Sequence, residues 1–306
     1  MIAQERSISG QVEGAVGGVY RVRLDSPTSP RIVEASLRGR LKRRELTGDR
    51  VVAGDRVRLE PTGDGAWTIE EVEPRATELV RAGPGGRKAK VVAANLDRVV
   101  VVLSAREPPF QREAADRFLV LAASCQIPAV LVVNKMDLPG ADSVKGELET
   151  YRRVGYEVVE TSSASGLGLP RLRRMMEGCL SSLIGPSGVG KSSLLNAIAP
   201  GLELPTRTVG RRSGRGRHTT VSARMVELPG GIRVVDTPGF SDVATWGVPR
   251  ESLATAFPEF TEPAEECRFR GCSHSHEPDC GVRAAVEEGA IDRGRYEVYL
   301  RFLAEP

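Results

Sequence analysis

Residues Gly185-Pro186-Ser187-Gly188-Val189-Gly190-Lys191-Ser192 fit the pattern G-x-x-x-x-G-K-[ST] at every fixed position. An apolar run, Leu180 to Ile184, precedes them and a helical pattern, Lys191 to Ile198, follows. That strand–loop–helix context is what gives the pattern meaning. Glycines let backbone N–H groups converge on phosphate oxygens, and the positive end of the helix adds to the attraction. Lys191 is expected to reach the β- and γ-phosphates, Ser192 to ligate Mg²⁺, and Ser193 to complete the nucleotide contacts. Such a loop belongs to an α/β sheet, and the flanking sequence agrees. Strand-like runs at 99–103, 129–133, 157–160, 180–184 and 232–235 alternate with helical stretches at 112–124, 143–154, 169–177 and 191–198. That alternation predicts a mostly parallel, doubly wound sheet.

The base is specified elsewhere. Asn134-Lys135-Met136-Asp137 ends an apolar strand, the edge at which open α/β sheets bind ligands. The Asp137 carboxylate can accept from guanine N1–H and from its exocyclic amine, whereas adenine offers no such donor pair on that edge. Asn134 is expected to brace the loop, and the Lys135 stem to lie over the base. Thr161-Ser162-Ser163-Ala164 follows a later strand, where a backbone N–H of Ser163 or Ala164 would meet guanine O6. Asp236-Thr237-Pro238-Gly239 supplies D-x-P-G: Asp236 would hold Mg²⁺ through water and the Gly239 N–H would sense the γ-phosphate. Between this motif and the P-loop lie His218, Thr219 and Thr220. One threonine, with Thr220 taken as the Mg²⁺ ligand, is expected to close on metal and γ-phosphate; His218 is a candidate for positioning water. An ordinary polar loop is the competing reading for these three. Phe240 stands where many GTPases carry a water-orienting glutamine, so unaided hydrolysis is expected to be slow.

The motifs thus run N-K-x-D, S-A, P-loop, T, D-x-P-G, whereas ordinary GTPases begin with the P-loop. Cutting a compact fold between its third and fourth elements and joining its old ends produces this order without moving a site residue. Leu169 to Glu177 would supply the join. The chain then passes from D-x-P-G straight into its C-terminal region, so nucleotide state is expected to move that region.

Two further domains flank this one, giving the expected division 1–74, 75–250 and 251–306. The first is rich in Gly, Val and Arg, with strand-like segments at 10–16, 19–24, 55–60 and 67–72. A five-stranded OB-type barrel that binds RNA fits best, although spacing leaves an SH3-like barrel open. Residues 81–90 read as a flexible basic linker. Near the C-terminus, Cys267, Cys272, His274 and Cys280 suit a structural tetrahedral Zn²⁺ site beside helical stretches at 282–288 and 295–304, with His276 as rival imidazole. Cys125 and Cys179 sit in apolar context and read as core.

The 306 residues carry a net charge of only +3, so whole-chain electrostatics do not by themselves select a nucleic-acid partner. Two local basic knots stand out: Arg38, Arg40, Lys42, Arg43 and Arg44; and Arg207, Arg211, Arg212, Arg215 and Arg217. Each alone reads as a solvated face. The N-terminus has no apolar signal region and no apolar run is long enough for a bilayer, so a cytoplasmic chain with no membrane partner is expected.

Together these features resemble the ribosome small-subunit-dependent GTPase A family (RsgA) over nearly the whole chain. The resemblance is carried by Leu37-Arg38-Gly39-Arg40, Gly54-Asp55-Arg56-Val57, Ala93-Ala94-Asn95-Leu96-Asp97, the permuted motifs, Gly216-Arg217-His218-Thr219-Thr220 and the Cys/His site. It implies a late assembly factor, acting as a monomer, that binds the maturing small ribosomal subunit and its rRNA, checks its decoding region and hydrolyses GTP to GDP when stimulated by it. Both basic knots then acquire rRNA phosphates as partners. Two rival expectations are a nucleotide-regulated RNA-binding module with incidental hydrolysis, and a permuted GTPase acting on the large subunit.

Overall fold

A computed structural model describes residues 7–26, 31–46, 50–63, 65–81, 89–200, 223–237 and 248–305. The second basic knot, His218, Thr219, Thr220, Gly239 and Phe240 lie outside the described residues.

Strands β1 (Ile8–Val16), β2 (Val19–Leu24), β3 (Ile32–Leu37), β4 (Arg56–Pro61) and β5 (Trp67–Val72) close into a barrel in the order β1-β2-β3-β5-β4. Alternation drives it: in β2, Tyr20, Val22 and Leu24 point inward while Arg21 faces solvent. β3 and β5 pair in parallel, β4 returns to β1, and helix α1 (Gly39–Leu46) fills the gap between β3 and β4. That connectivity is of the OB type and disposes of the SH3-like alternative. The first basic knot runs from Arg38, just before α1, into that helix; Arg38 pairs with Glu70, and Arg40 donates to the Glu70 carbonyl at 2.7 Å.

β6 (Glu78–Arg81) and β7 (Lys90–Ala94) pair antiparallel, so the ends of the expected linker are ordered strands. The reason is burial: Leu79, Ala93 and Ala94 are fully enclosed, which the surrounding Gly and Lys/Arg residues concealed in the sequence. Here the barrel meets the rest of the chain. Gly54 has φ +95° and lies so close that a Cβ would stand 1.9 Å from the Ala94 carbonyl oxygen. Asn95 Nδ2 donates to the Gly54 carbonyl at 3.0 Å, and buried Asp55 pairs with Arg75 at 2.7 Å.

The central sheet has the order β10-β9-β8-β11-β13-β12. Its strands are β8 (Arg98–Ser104), β9 (Ala129–Asn134), β10 (Glu157–Glu160), β11 (Leu180–Ile184), β12 (Arg224–Leu228) and β13 (Ile232–Asp236). All neighbours are parallel except the β12–β13 pair, the edge strand β12 being unforeseen from the sequence. Helices α2 (Arg112–Ser124), α3 (Lys145–Arg153), α4 (Leu169–Met176) and α5 (Lys191–Ile198) cover its faces. The expected helix at 143–154 resolves into a 3₁₀ turn at Ala141–Val144 followed by α3. Along β8, Val99, Val101 and Leu103 pack on Phe118 and Leu119 of α2, while Val100 and Val102 pack on the opposite core with Leu172 and Leu194. A strand buried on both faces reads as a continuous apolar run, as here. Helix α4 and the turn after it join β10 to β11.

The C-terminal region contains α6 (Arg250–Leu253), α7 (Thr261–Glu265), α8 (Gly281–Glu287) and α9 (Arg293–Ala304). Its core of Phe257, Phe260, Val298 and Tyr299 includes Val120 of α2. Arg295, fully buried, pairs with Asp116 of α2 and with Glu259. Arg117 of α2 lies over the Phe302 ring at 4.3 Å and pairs with Glu305. This region is therefore fastened to α2, on the base-recognition half of the sheet. Among the described residues no helix is long and apolar enough to cross a membrane.

Candidate nucleotide site and metal centre

β11 is buried along its length and runs between β8 and β13. Gly185 follows it directly, and its φ of +145° and contact with β8 leave no room for a side chain: a Cβ would lie 2.1 Å from the Val102 carbonyl oxygen. Gly190 caps α5 with φ +98°, and a Cβ there would lie 2.3 Å from Asn134 Nδ2. The candidate P-loop and the candidate guanine loop, about fifty positions apart in the chain, therefore interlock through a glycine.

Asn134 is the centre of that interlock. Fully buried at the end of β9, it donates to the Val189 carbonyl at 3.0 Å and accepts from the Ser163 N–H at 3.2 Å. The Thr161 hydroxyl adds a contact to its Oδ1 at 3.4 Å. One amide side chain thus joins all three segments, 134–137, 161–164 and 185–192. Lys135, at φ +63°, donates to the Gly188 carbonyl at 2.8 Å and to the Glu107 carbonyl. Asp137 is exposed beside them. Ser162, fully buried, accepts from the Ala164 and Ser165 N–H groups at 3.2 and 3.0 Å and so shapes the turn. Sequence reasoning quoted Thr161 and Ser162 as part of their motif without giving either a role, and passed over Glu107. Two buried hydroxyl residues in succession at a strand end were the available signal for the first pair; nothing local marked Glu107.

Lys191 lies across the loop, its Nζ donating to the carbonyls of Gly185 and Pro186 at 2.6 and 2.8 Å. Burial pulls its pKa down to about 8, against the attraction of Asp236. The first turn of α5 holds Ser192 and Ser193, and its N-cap glycine supplies no side-chain acceptor, so the helix N-terminus keeps its donors for an anion. Asp236 ends β13 with its side chain exposed, and the buried Thr237 hydroxyl meets Ser182 of β11 at 3.1 Å. Ser192, in the first turn of α5, and Asp236, at the end of β13, are the described residues that could hold Mg²⁺. Pro186, Ser187 and Val189 complete the loop.

The second candidate site is in the C-terminal region. The ligand atoms of Cys267, Cys272, His274 and Cys280 all lie within 4.8 Å of one another. Cys267 Sγ and Cys280 Sγ are 3.8 Å apart, and His274 Nδ1 is 3.5 and 3.4 Å from them. A tetrahedron with metal–sulfur bonds of about 2.3 Å and a metal–nitrogen bond of about 2.0–2.1 Å has edges of about 3.8 and 3.6 Å. The donor set therefore fits a tetrahedral ion. Tyr296 and Tyr299 fix the loop from behind, donating to the His274 and Ser273 carbonyls at 2.6 Å each. His276 is exposed and turned onto Ser275 at 2.8 Å, which excludes it as the fourth ligand.

Comparison with known proteins places this geometry. A family model described as RsgA GTPase matches residues 72–246, more than half of the chain. The small ribosomal subunit biogenesis GTPase RsgA of Moorella thermoacetica is 43% identical over 94% of this chain and 94% of its own. Its namesake from Gemmatimonas aurantiaca is 41% identical over 98% and 97%. The crystal structure of YjeQ from Thermotoga maritima aligns with a TM-score of 0.78 at 33% identity over 97% of each chain. That of YloQ, described as a circularly permuted GTPase, aligns with a TM-score of 0.77 at 31% identity, over 99% of this chain and 96% of its own. An interlocked P-loop and guanine motif in permuted order, set between a closed five-stranded barrel and a Cys₃His cluster, agrees with the matched family model and with these relatives: the chain belongs to the RsgA GTPases.

Proposed function

We propose that this GTPase acts in late maturation of the small ribosomal subunit, binding its rRNA and hydrolysing GTP to GDP and phosphate when the subunit stimulates it. The observation that carries the reading is the Asn134 interlock, which builds one guanine-nucleotide site from three segments in an order shared with relatives named for small-subunit biogenesis. In it Asp137 selects guanine, Asn134 holds the site together, Lys135 covers the base, and Ser163 and Ala164 close over O6. Residues 185–193 hold the phosphates, with Lys191 on the β- and γ-groups. Mg²⁺ is held by Ser192, by Thr220 and, through water, by Asp236. Thr219, His218 and Gly239, argued from sequence alone, serve the γ-phosphate and the attacking water. Phe240 offers no hydrogen bond to water, so the stimulating group comes from the partner.

Residues 1–74 form the RNA-binding barrel, 75–250 the GTPase domain and 251–306 the metal-binding domain. The metal is Zn²⁺, the ion that a Cys₃His tetrahedron suits best. The protein acts as a cytoplasmic monomer. Parallel GTP turnover assays with purified small subunits, large subunits and no ribosome test the reading. Strong stimulation by small subunits alone is expected. Equal turnover in all three would leave a nucleotide-regulated RNA-binding module, and stimulation by large subunits would move the protein to the other particle.

A further inference from the structure

The barrel does not simply hang from the GTPase domain; its first strand lies against the two strands that carry the D-x-P-G end of the site. At a bulge between Val12 and Gly14, Glu13 lies on the outer face of the barrel beside Arg21 and Arg23, yet is only 4% exposed because the central sheet packs over it. Glu13 accepts from Arg21 at 2.8 Å and from Arg23 at 2.7 Å, and Arg23 reaches on to Glu227 of β12. Gln11 on the same strand accepts from Arg233 of β13 at 2.8 Å and donates to the Gly54 carbonyl at 3.1 Å. One residue beyond the bulge, a Cβ on Gly14 would lie 3.3 Å from the Ala223 carbonyl and 3.6 Å from Arg224 Cα. Arg224 is the register partner of Asp236 across the β12–β13 pair. The barrel therefore touches the backbone directly opposite the candidate magnesium carboxylate.

We propose that β1, through Gly14 and the Glu13–Arg23–Glu227 chain, is the element by which RNA seated on the barrel sets the position of Asp236, and so the route by which the partner stimulates hydrolysis. The inference rests on the function proposed above. Three features favour a transmitting contact over a passive one. The ion chain runs across the domain boundary and is half-shielded, with Arg23 16% and Glu227 34% exposed, so it resists salt screening better than a surface pair. The bulge at Glu13 gives β1 a local deviation from regular pairing at the point of contact, the kind of device that re-aims side chains beside active sites. The contact also falls on the antiparallel strand that forms the edge of the sheet among the described residues. Gly14 and Glu227 are positioning residues here, acting on Asp236 through β12.

The test uses full-length Glu227→Gln, Glu227→Asp and Gly14→Ala, none of which touches nucleotide. Turnover without ribosomes and GDP affinity should stay within about twofold of wild type, since no group at the site is altered. Stimulation by purified small subunits should fall about tenfold in E227Q and G14A, inside the range of about 5–150-fold typical of allosteric coupling. E227D, which keeps the charge, should retain most of it. Binding of the GDP form to small subunits should be unchanged, which separates coupling from recruitment. If wild type is stimulated and E227Q and G14A are stimulated equally, β1 is not the route. If E227Q loses basal turnover to the same degree, the contact is structural and the inference also fails. If wild type itself is not stimulated, the proposed function falls rather than this contact.

Discussion

Replacing Arg295 by methionine should loosen the C-terminal region from the GTPase domain, and by an amount that depends on pH. Arg295 has no exposed surface, its guanidinium pairs with Asp116 and Glu259, and it lies 5.2–5.7 Å from the rings of Phe257, Tyr151 and Tyr156. Methionine retains most of the volume but leaves two buried carboxylates without their cation. Breaking a buried pair from one side costs about 3–5 kcal/mol. Burial raises the Asp116 pKa to about 6 even with Arg295 opposing it. Because the folded value lies above the unfolded one, the folded state binds more protons between about pH 4 and 6, and stability falls as pH rises through that window. Removing Arg295 deletes the lowering influence and keeps the raising one, so the window extends above pH 6. The deficit relative to wild type should therefore be larger at pH 8 than at pH 6. Hydrogen exchange of the α9 amides reports it locally: about 10²–10⁴-fold faster opening at pH 8, from the same cost at 1.36 kcal/mol per decade. Exchange in the barrel should be unchanged. An α9 effect below tenfold, or one equal at both pH values, would refute the reasoning that α2 and α9 are joined by a buried charge.

Three other predictions follow from the sites. Asp137→Asn should lower GTP affinity on the order of 10²–10⁴-fold, two charge-assisted hydrogen bonds at about 1.5–3 kcal/mol each, and should favour xanthosine nucleotides, whose C2 carbonyl can accept from the new amide; equal GTP binding would remove Asp137 from base selection. Lys191, lowered to about 8 in the free protein, should regain its ordinary affinity for protons beside phosphates. GTP binding above about pH 8 should then take up a proton and weaken as pH rises, which calorimetry in buffers of different ionisation enthalpy measures; pH-independent affinity from 7 to 9.5 would count against that contact. Elemental analysis should find one zinc per chain, lost in Cys272→Ser, with α8 and α9 losing exchange protection because structural metal binding is folding free energy. Retained zinc in that variant would show another ligand set.

The chemistry of the nucleotide site could be read from the sequence because each motif is short and local. A P-loop needs Gly185 and Gly190 at fixed positions, and guanine selection needs a carboxylate after an apolar strand; these demands are written in consecutive residues. The permuted order and the Cys₃His spacing were legible for the same reason, as were the strands and helices of strong periodicity. Whatever depends on residues far apart in the chain was not legible. The sequence favoured the OB-type barrel without excluding the SH3-like one, because only the β3–β5 and β1–β4 pairings distinguish them. It concealed the β6–β7 pair behind glycines and charges, and it put His274 first without excluding His276, since that choice depends on which ring the fold turns inward. Nor did it indicate that Asn134 joins three segments, that Arg295 is buried in α2's surroundings, or that Glu13 reaches toward β12. Each of those is a partnership between residues far apart in the chain, from 29 positions for Asn134 and Ser163 to 204 for Arg23 and Glu227, decided by which strands and helices the closed core brings side by side.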